Sequence, residues 1–451
     1  MKKTDKRRAS PRKKIFLMTL CILGVLCIAL ISFSPNVADI YAQNDNEAFI
    51  GQQGNVQDAE EQPQEAVPPE MEDRQDVSFG NQDGSSVDEL PENLPEDFGE
   101  DTENDSDDDP ADDISAGLYT PDEPVKYDGQ FELPVRGATG WAAARLNMHS
   151  EPDGTAESLL VLQPGQSFLI LDEHELWWNI RLDSGDEGWV RHRHCFINLP
   201  DIIPSIIYNI TNAYSSVKRS NMYDIPNITG YVLYDAHSFN HRLGRYEFIV
   251  PVLYYTSPKI MQAQQAALDD GNTLIIYEAF RPRSTQRSVV DNLRSLMNTN
   301  RTVYRAINSP PWSVGWFIGT NLSNHQRGVA FDMSLGRIAE EEIGRAGEFS
   351  YRRIADYVEL EMPTAMHELS IDAVLLSRPV SANVQNAWRD IPFAETMTEA
   401  AILLVQYATD AGLTPLASEW WHFNDLAGRR IADEVGITGE FYTETIYSIL
   451  P

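Results

Sequence analysis

The pattern of apolar and polar positions divides the chain into four regions, of which the first is a long apolar run. Residues from Ile15 to Phe33 carry no charge, and residues 1–14 before them are strongly basic. About 19 apolar residues can span a bilayer with the basic flank inside. We therefore predict that residues 1–42 form a single-pass anchor in the cell membrane, with the rest of the chain extracytoplasmic. A secretory signal cleaved near Ala42 is the alternative, and it gives a secreted protein.

The second region, residues 43–129, is polar and contains few aromatic side chains. Such a segment buries too little apolar area to offset the entropy lost on ordering, so we predict a disordered acidic linker. Between Gln43 and Val125 there are roughly 27 acidic residues and one basic residue, Arg74. Most of the net charge of −33 therefore belongs to this linker. A nucleic-acid partner, which requires a basic face, is not expected.

In the third region, residues 130–200, short apolar runs alternate with turn residues. Runs of this length at nearly regular spacing are typical of a small antiparallel barrel. The runs are Gly140–Ala142, Leu146–Met148, Ser158–Leu162, Ser167–Leu171, Trp177–Leu182 and Gly188–Val190. We expect His192-Arg193-His194-Cys195 to close the last of these strands rather than to bind a metal.

The fourth region, residues 201–451, mixes two periodicities. Helical spacing covers Ile260 to Leu268 and Ala400 to Ala411, and strand-like runs cover Thr273 to Tyr277, Gly328 to Met333 and Ala417 to His422. Helices and strands in irregular order predict an α+β domain with a small, mostly antiparallel sheet.

Cysteine usage limits the chemistry. Cys21 and Cys27 lie inside the N-terminal apolar run, so Cys195 is the only cysteine after it. The folded part can therefore form neither an intrachain disulfide nor a cysteine-based zinc site.

Two clusters in the fourth region contain the residue types of a metal site. His325 and Asp332 are seven positions apart, with Gly328 between them. Residues an odd number apart point to opposite faces of a straight strand, so these two can share a metal only if the chain bends, which Gly328 permits.

The second cluster is Glu419-Trp420-Trp421-His422. A catalytic zinc ion keeps three protein ligands and an open position, so one of Glu419 and His422 is expected to be a ligand and the other a base. Histidine is the more usual ligand, which favours His422, but spacing alone leaves the reverse assignment open. Arg281, at the end of an apolar strand, is expected either to stabilise an oxyanion in a cleft or to form a surface salt bridge.

The third region resembles a bacterial SH3-like domain. The resemblance depends on Leu146-Asn147-Met148-His149-Ser150-Glu151-Pro152, Leu162-Gln163-Pro164-Gly165, Trp177-Trp178-Asn179-Ile180 and Gly188-Trp189-Val190. It implies binding of cell-wall peptide or glycan, that is, of peptidoglycan. A spacer barrel that binds nothing is the alternative.

Residues from about Ser220 to Ile449 resemble the D-alanyl-D-alanine dipeptidase family of zinc peptidases, within the group that includes D,D-carboxypeptidases. The matching pieces are Asn227-Ile228-Thr229-Gly230, Phe280-Arg281-Pro282, Ser323 to Asp332 and Glu419-Trp420-Trp421-His422-Phe423. The resemblance implies that His325, Asp332 and His422 bind one zinc ion. It also implies that Glu419 is the general base and that Arg281 stabilises the transition state.

The sequence departs from the family pattern in the run Met362 to Glu368. His367 stands where the family has an Asp that holds the free amino group of the substrate. This departure has two explanations: either Glu368 substitutes for that Asp, or the enzyme prefers longer peptides. Tyr223 matches a family tyrosine before Asn227 only with a shift of one residue.

These observations together predict a membrane-tethered, extracytoplasmic zinc peptidase that cleaves the D-Ala-D-Ala bond. A D,D-carboxypeptidase that trims peptidoglycan stem peptides is the second reading, and a catalytically inert wall-binding protein is the third.

Overall fold

The computed structural model describes residues 124–443 and 445–451. The predicted membrane segment, residues 1–42, and the linker up to residue 123 lie outside these residues. Within the described part, the structure is a mixed α/β fold with several sheets, which agrees with the expected class. No helix of this part has the length and apolar character required to cross a bilayer.

The strands β1 to β19 are Val125–Lys126, Thr139–Ala142, Leu146–His149, Ser158–Leu162, Ser167–His174, Trp177–Arg181, Glu187–Arg191, Cys195–Asn198, Ile207–Tyr208, Arg219–Ser220, Tyr223–Asp224, His237–Asn240, Arg245–Phe248, Pro251–Leu253, Asn272–Glu278, Ala330–Ala346, Phe349–Glu359, Thr414–Leu416 and Glu419–Asn424. The helices α1 to α7 are Leu199–Ile202, Ser257–Asp269, Arg283–Thr299, Arg301–Ile307, Val314–Phe317, Glu399–Asp410 and Leu426–Val435. Short 3₁₀ turns occupy His192–His194, Thr211–Ala213, Tyr254–Thr256 and Ile371–Ala373.

Eight strands form one antiparallel sheet in the order β14-β8-β2-β5-β6-β7-β3-β4. Each of the six short apolar runs of residues 130–200 corresponds to one of these strands, which confirms that part of the pattern. The turn His192–His194 ends β7, the last of the predicted strands, and a further strand that was not predicted, β8, begins at Cys195. The sheet also continues beyond residue 200, since β14 (Pro251–Leu253) pairs with β8.

A second sheet of seven strands carries the candidate site. Its central strand β16 is antiparallel to β15, β17 and β19, and β18 is antiparallel to β19. Only the short strands β1 and β9 join it in parallel. The prediction of a mostly antiparallel sheet is therefore confirmed for the described residues.

One boundary differs from the expected one. The predicted disordered linker ends at residue 129, but Val125–Lys126 forms β1 against β17, and the Val125 amide donates to the Glu348 carbonyl at 2.9 Å. The aromatic ring of Tyr127 packs edge-on against Phe349, 5.4 Å between centroids, so these few apolar residues find a partner that composition alone does not reveal.

A continuous hydrophobic core extends beneath both sheets. It includes Met148 and Trp178 from the eight-stranded sheet and Leu274 and Phe423 from the seven-stranded one. The two predicted helices lie close to their expected positions, as α2 and α6, and each turns buried small or aliphatic residues toward the core at intervals of three or four. Side chains of β15, β16 and β19, the three strands that carry the candidate site, belong to this core.

Candidate metal centre

Three neighbouring strands place polar side chains in one row across the seven-stranded sheet. Asp332 on β16 pairs with His422 of β19 on one side and with Glu278 of β15 on the other. Because opposed residues of antiparallel strands lie side by side, this register brings two carboxylates and an imidazole together. All three residues are buried, among them Glu278 completely.

His325 reaches the same place from a turn rather than from a strand. The turn precedes β16, and Gly328 within it has φ +66°. A Cβ at Gly328 would lie 2.7 Å from the ring of Phe196 and 3.0 Å from the Leu253 nitrogen, so both the backbone angle and the space require glycine. The bend that was predicted between His325 and Asp332 is therefore present.

Three ligand atoms converge at this point. His325 Nε2 lies 3.2 Å from His422 Nδ1 and 3.3 Å from Asp332 Oδ1, and His422 Nδ1 lies 2.9 Å from the same oxygen. Two ligand atoms about 2.05 Å from a tetrahedral zinc ion lie about 3.3 Å apart. The spacing therefore fits a single tetrahedral ion with these three ligands, and the group is one of two that can hold a metal among the described residues.

The outward nitrogens of both rings determine which tautomer each histidine adopts. His325 Nδ1 lies 2.6 Å from the Ala279 carbonyl, and His422 Nε2 lies 3.0 Å from Asn424 Oδ1, so each of these nitrogens is the N–H donor. The amide oxygen of Asn424 also accepts from Asn324 Nδ2 at 2.7 Å, which supports its role as an acceptor. Each inward nitrogen therefore presents a lone pair.

With both rings neutral, two lone pairs and a carboxylate oxygen consequently face one another, and no donor lies between them. Burial opposes ionisation of Asp332, but the surrounding histidines outweigh it and hold its pKa well below its usual range. Burial lowers the pKa of His422, yet its hydrogen bond with Asp332 and the charge there raise the pKa overall. The arrangement thus attracts positive charge, which a divalent cation supplies without altering either outward hydrogen bond.

Glu419 lies beside the three ligands without being one of them. Its Oε2 is 3.8 Å from His422 Nδ1, and its side chain is buried. Burial raises the pKa of Glu419 to about 7; the charge of His422 opposes this rise, and the charge of Asp332, a smaller effect, adds to it. The β18–β19 pairing shifts near Leu416, which breaks the strand alternation and lets Glu419 and His422 approach each other despite their odd spacing. The geometry thus favours His422 as the ligand and Glu419 as the base.

Arg281 is buried, so the prediction of a surface salt bridge is wrong. One of its terminal nitrogens donates to Glu278 and lies 3.3 Å from Asp332 Oδ2, and the other donates to Gln286 Oε1 at 2.5 Å. Burial lowers the pKa of Arg281, but the charge and hydrogen bond of Glu278 and the charge of Asp332 together raise it by more, so the guanidinium stays protonated. It also lines the cavity described below.

Sequence reasoning missed a buried charge network behind the metal ligands. Lys218 Nζ lies 3.2 Å from Glu278 Oε2, the carboxylate that also accepts from Arg281. Glu278, Asp332 and His367 form the second group whose atoms can hold a metal. Two protein cations already neutralise the carboxylates of that group, so the first group is the better metal site. The Glu278-x-x-Arg281 spacing was visible in the sequence, but nothing there pointed to Lys218.

His367 lies against Asp332, one of the three candidate ligands, and lines the cavity described below. Its Nε2 is 2.9 Å from Asp332 Oδ2, the oxygen that faces away from the other two histidines. Burial, together with the charge of Lys218, lowers the pKa of His367 to about 4, so the ring is neutral and donates its Nε2–H. Its backbone has φ +61°. His367 therefore holds Asp332 in place.

Glu368 does not replace the missing Asp. Its carboxylate accepts the amides of Asn221 and Met222, the latter at 3.0 Å, and so stabilises the turn between β10 and β11. Both turn residues have positive φ, and Tyr223 beside them is 46% exposed. Glu368 is absent from the lining of the cavity.

A cavity of about 250 Å³ opens onto the site. Trp316, Trp421, Leu322 and Arg429 are among the residues that line it. Asp332 and Glu419 are the only carboxylates that line it in the described part of the chain. A scan against protein-family models and a search of curated proteins found no match to this chain.

Proposed function

We propose that this chain is a zinc hydrolase that cleaves the D-Ala-D-Ala bond of cell-wall peptides. The observation that carries the proposal is the convergence of His325 Nε2, His422 Nδ1 and Asp332 Oδ1 at spacings that fit one tetrahedral ion. A nitrogen and oxygen ligand set with three members and an adjoining cavity is typical of catalytic zinc. When bound, zinc supplies a Lewis acid and lowers the pKa of water to about 7.

The other residues of the site have roles that follow from their positions. Glu419, next to the open side of the ligand set, accepts a proton from the attacking water and passes it to the leaving amine. Arg281, fixed by Glu278 and Gln286, places a permanent positive charge at the cavity where negative charge develops on the scissile carbonyl oxygen. His367 and Arg281 hold Asp332 from behind.

The substrate class is supported by the sequence resemblance over residues 220–449. The ligand set, Glu419 and Arg281 all occupy positions that match the dipeptidase pattern. The cavity of about 250 Å³ is of a size for a small peptide end rather than for a folded protein.

One observation favours longer peptides over the free dipeptide. A free dipeptide carries an ammonium group, and a buried ammonium requires a carboxylate partner. In the described lining, Asp332 is a ligand and Glu419 is the base, while His367 is neutral and Glu368 is engaged elsewhere. A stem peptide, whose corresponding nitrogen is an amide, has no such requirement. The second candidate is therefore a D,D-carboxypeptidase that trims peptidoglycan stem peptides.

The rest of the chain supports a location at the wall. The basic and apolar residues 1–42 anchor the chain in the membrane, the acidic linker spaces it outward, and the SH3-like region contacts peptidoglycan. This places the catalytic domain outside the cytoplasm, where its peptide substrate is found.

The test compares free D-Ala-D-Ala with a pentapeptide that ends in D-Ala-D-Ala, using the full chain in detergent. We expect D-alanine release from the pentapeptide that a chelator abolishes and added zinc restores. The His325→Ala variant serves as the control that lacks a ligand. Faster cleavage of the free dipeptide would favour the dipeptidase reading. Zinc binding without hydrolysis of either peptide would leave the inert wall-binding protein as the better account.

A further inference from the structure

The eight-stranded sheet has a cavity of its own, of about 390 Å³. It shares no residue with the cavity at the metal centre. Its polar and aromatic lining consists of Arg145, Asn147, His149, Trp177, Arg191 and His194. Four of these six side chains are basic and none is acidic.

The two arginines among them carry permanent positive charge, in a chain with a net charge of −33. Two neighbouring arginines have carboxylate partners: Arg181 lies 3.7 Å from Glu187 and Arg193 lies 3.1 Å from Glu434. Within the described residues, neither Arg145 nor Arg191 has a carboxylate within salt-bridge distance. Cations that are gathered in a cavity without a counter-charge favour an anionic ligand.

Arg191 is already held in position for such a ligand. It lies directly opposite Trp177 in the β6–β7 pairing, and its guanidinium stacks 5.1 Å from the centre of the Trp177 ring. The His149 ring packs edge-on against the same indole at 5.5 Å. A stacked guanidinium keeps its planar fork of donors, which matches a carboxylate or phosphate, and loses little entropy on binding.

The remaining groups around the cavity agree with a positive potential. Burial, followed by the charges of Arg193 and Arg191, lowers the pKa of His194 to about 4. The charges of His149 and Arg191 act on Asp153, whose carboxylate accepts from the amide and hydroxyl of Thr155 at 2.8 and 2.9 Å. Asp153 is fully exposed and does not line the cavity.

We propose that this cavity is a second ligand site, which binds an oxyanion, carboxylate or phosphate, through Arg145 and Arg191 over the face of Trp177. The site is independent of the metal centre and of the hydrolysis proposed for it. It gives the eight-stranded sheet a ligand of defined chemistry in place of a purely spacing role.

The test is calorimetric binding to the full chain in detergent at low salt. The probes are inorganic phosphate, N-acetyl-D-alanine and the amide of N-acetyl-D-alanine, which lacks the carboxylate. We expect Arg191→Gln and Arg145→Gln each to weaken oxyanion binding about tenfold, since each removes a charge-assisted hydrogen bond. Arg181→Gln is the matched control, because it removes the same charge from an adjacent strand outside the cavity.

Each outcome has a defined meaning. Binding of phosphate alone identifies a phosphate-bearing ligand, and binding of N-acetyl-D-alanine but not of its amide identifies a peptide carboxylate. Equal binding of the acid and its amide would overturn the proposal. So would affinities that Arg191→Gln leaves unchanged or that Arg181→Gln lowers as much, because oxyanion binding would then reside elsewhere.

Discussion

Replacing Glu419 with glutamine is expected to stabilise the zinc-free protein while abolishing most of its activity. Burial raises the pKa of Glu419 from 4.5 to about 7. A raised pKa in an acid means that the folded protein holds the proton between these two values whereas the unfolded chain releases it. Stability therefore falls as pH rises from about 4.5 to 7, and the penalty is fully present above pH 7.

The size of the penalty follows from the same pKa. At 1.36 kcal/mol for each pH unit, the rise corresponds to about 3 kcal/mol. Glutamine has nearly the same shape and no charge, so Glu419→Gln removes this penalty above pH 7 and has little effect near pH 4.5. In the zinc-loaded protein the same change removes the proton acceptor, and kcat is expected to fall by roughly 10²–10⁴.

Urea unfolding of the chelated protein at pH 8 and pH 5, followed by tryptophan fluorescence, measures the first effect. Peptide hydrolysis at equal zinc content measures the second. The exposed residue Glu395 provides the control, and Glu395→Gln should stay within about 0.5 kcal/mol of the parent protein. A Glu419→Gln protein that is less stable than the parent at pH 8, or one that keeps the parent turnover, would refute the reasoning.

Three further predictions test neighbouring parts of the site. His367→Leu should lower zinc affinity about 10- to 100-fold, and His367→Gln should recover part of the loss by donating to the ligand carboxylate; equal affinities for all three proteins would contradict the positioning role. The pH profile of kcat/KM should rise with pH through the pKa of Glu419. Burial raises this pKa to about 7, and a bound dication lowers it from that value. A rate that rises as pH falls would contradict the role of Glu419 as base. Gly328→Ala should destabilise the fold by more than the roughly 1–3 kcal/mol of positive-φ strain. Gly185→Ala, also at positive φ but in open space, should show the strain alone; equal losses in thermal unfolding would exclude the predicted clash.

The local pattern of the chain was sufficient to predict about half of the described strands and the two helices α2 and α6, but not the longest described helix, α3. Alternation and turn residues located the strands between Thr139 and Arg191, because each of those signals is contained within a few residues. The strands β1 and β14, which extend the edges of the two sheets, were not predictable in this way. Val125–Lys126 and Pro251–Leu253 are two- and three-residue strands that exist only because a distant strand offers an edge.

The candidate site was predictable to the extent that its residues lie in short, recognisable clusters. The seven-residue spacing of His325 and Asp332, with Gly328 between them, correctly implied a bend. Glu278 was missed because its place beside Asp332 depends on the register of β15 and β16, which the sequence does not specify. The sequence marked His367 as a departure from the family pattern but gave no contact for it, because its hydrogen bond to Asp332 depends on the fold.

The account depends most directly on where a single metal ion binds. A crystal of the zinc-loaded protein, with diffraction data collected above and below the zinc absorption edge, locates that ion by its anomalous scattering. We predict one strong peak within about 2.0–2.2 Å of His325 Nε2, His422 Nδ1 and Asp332 Oδ1, with Glu419 outside bonding distance. A map without a peak there, or with the peak between Glu278 and His367, would contradict the central claim.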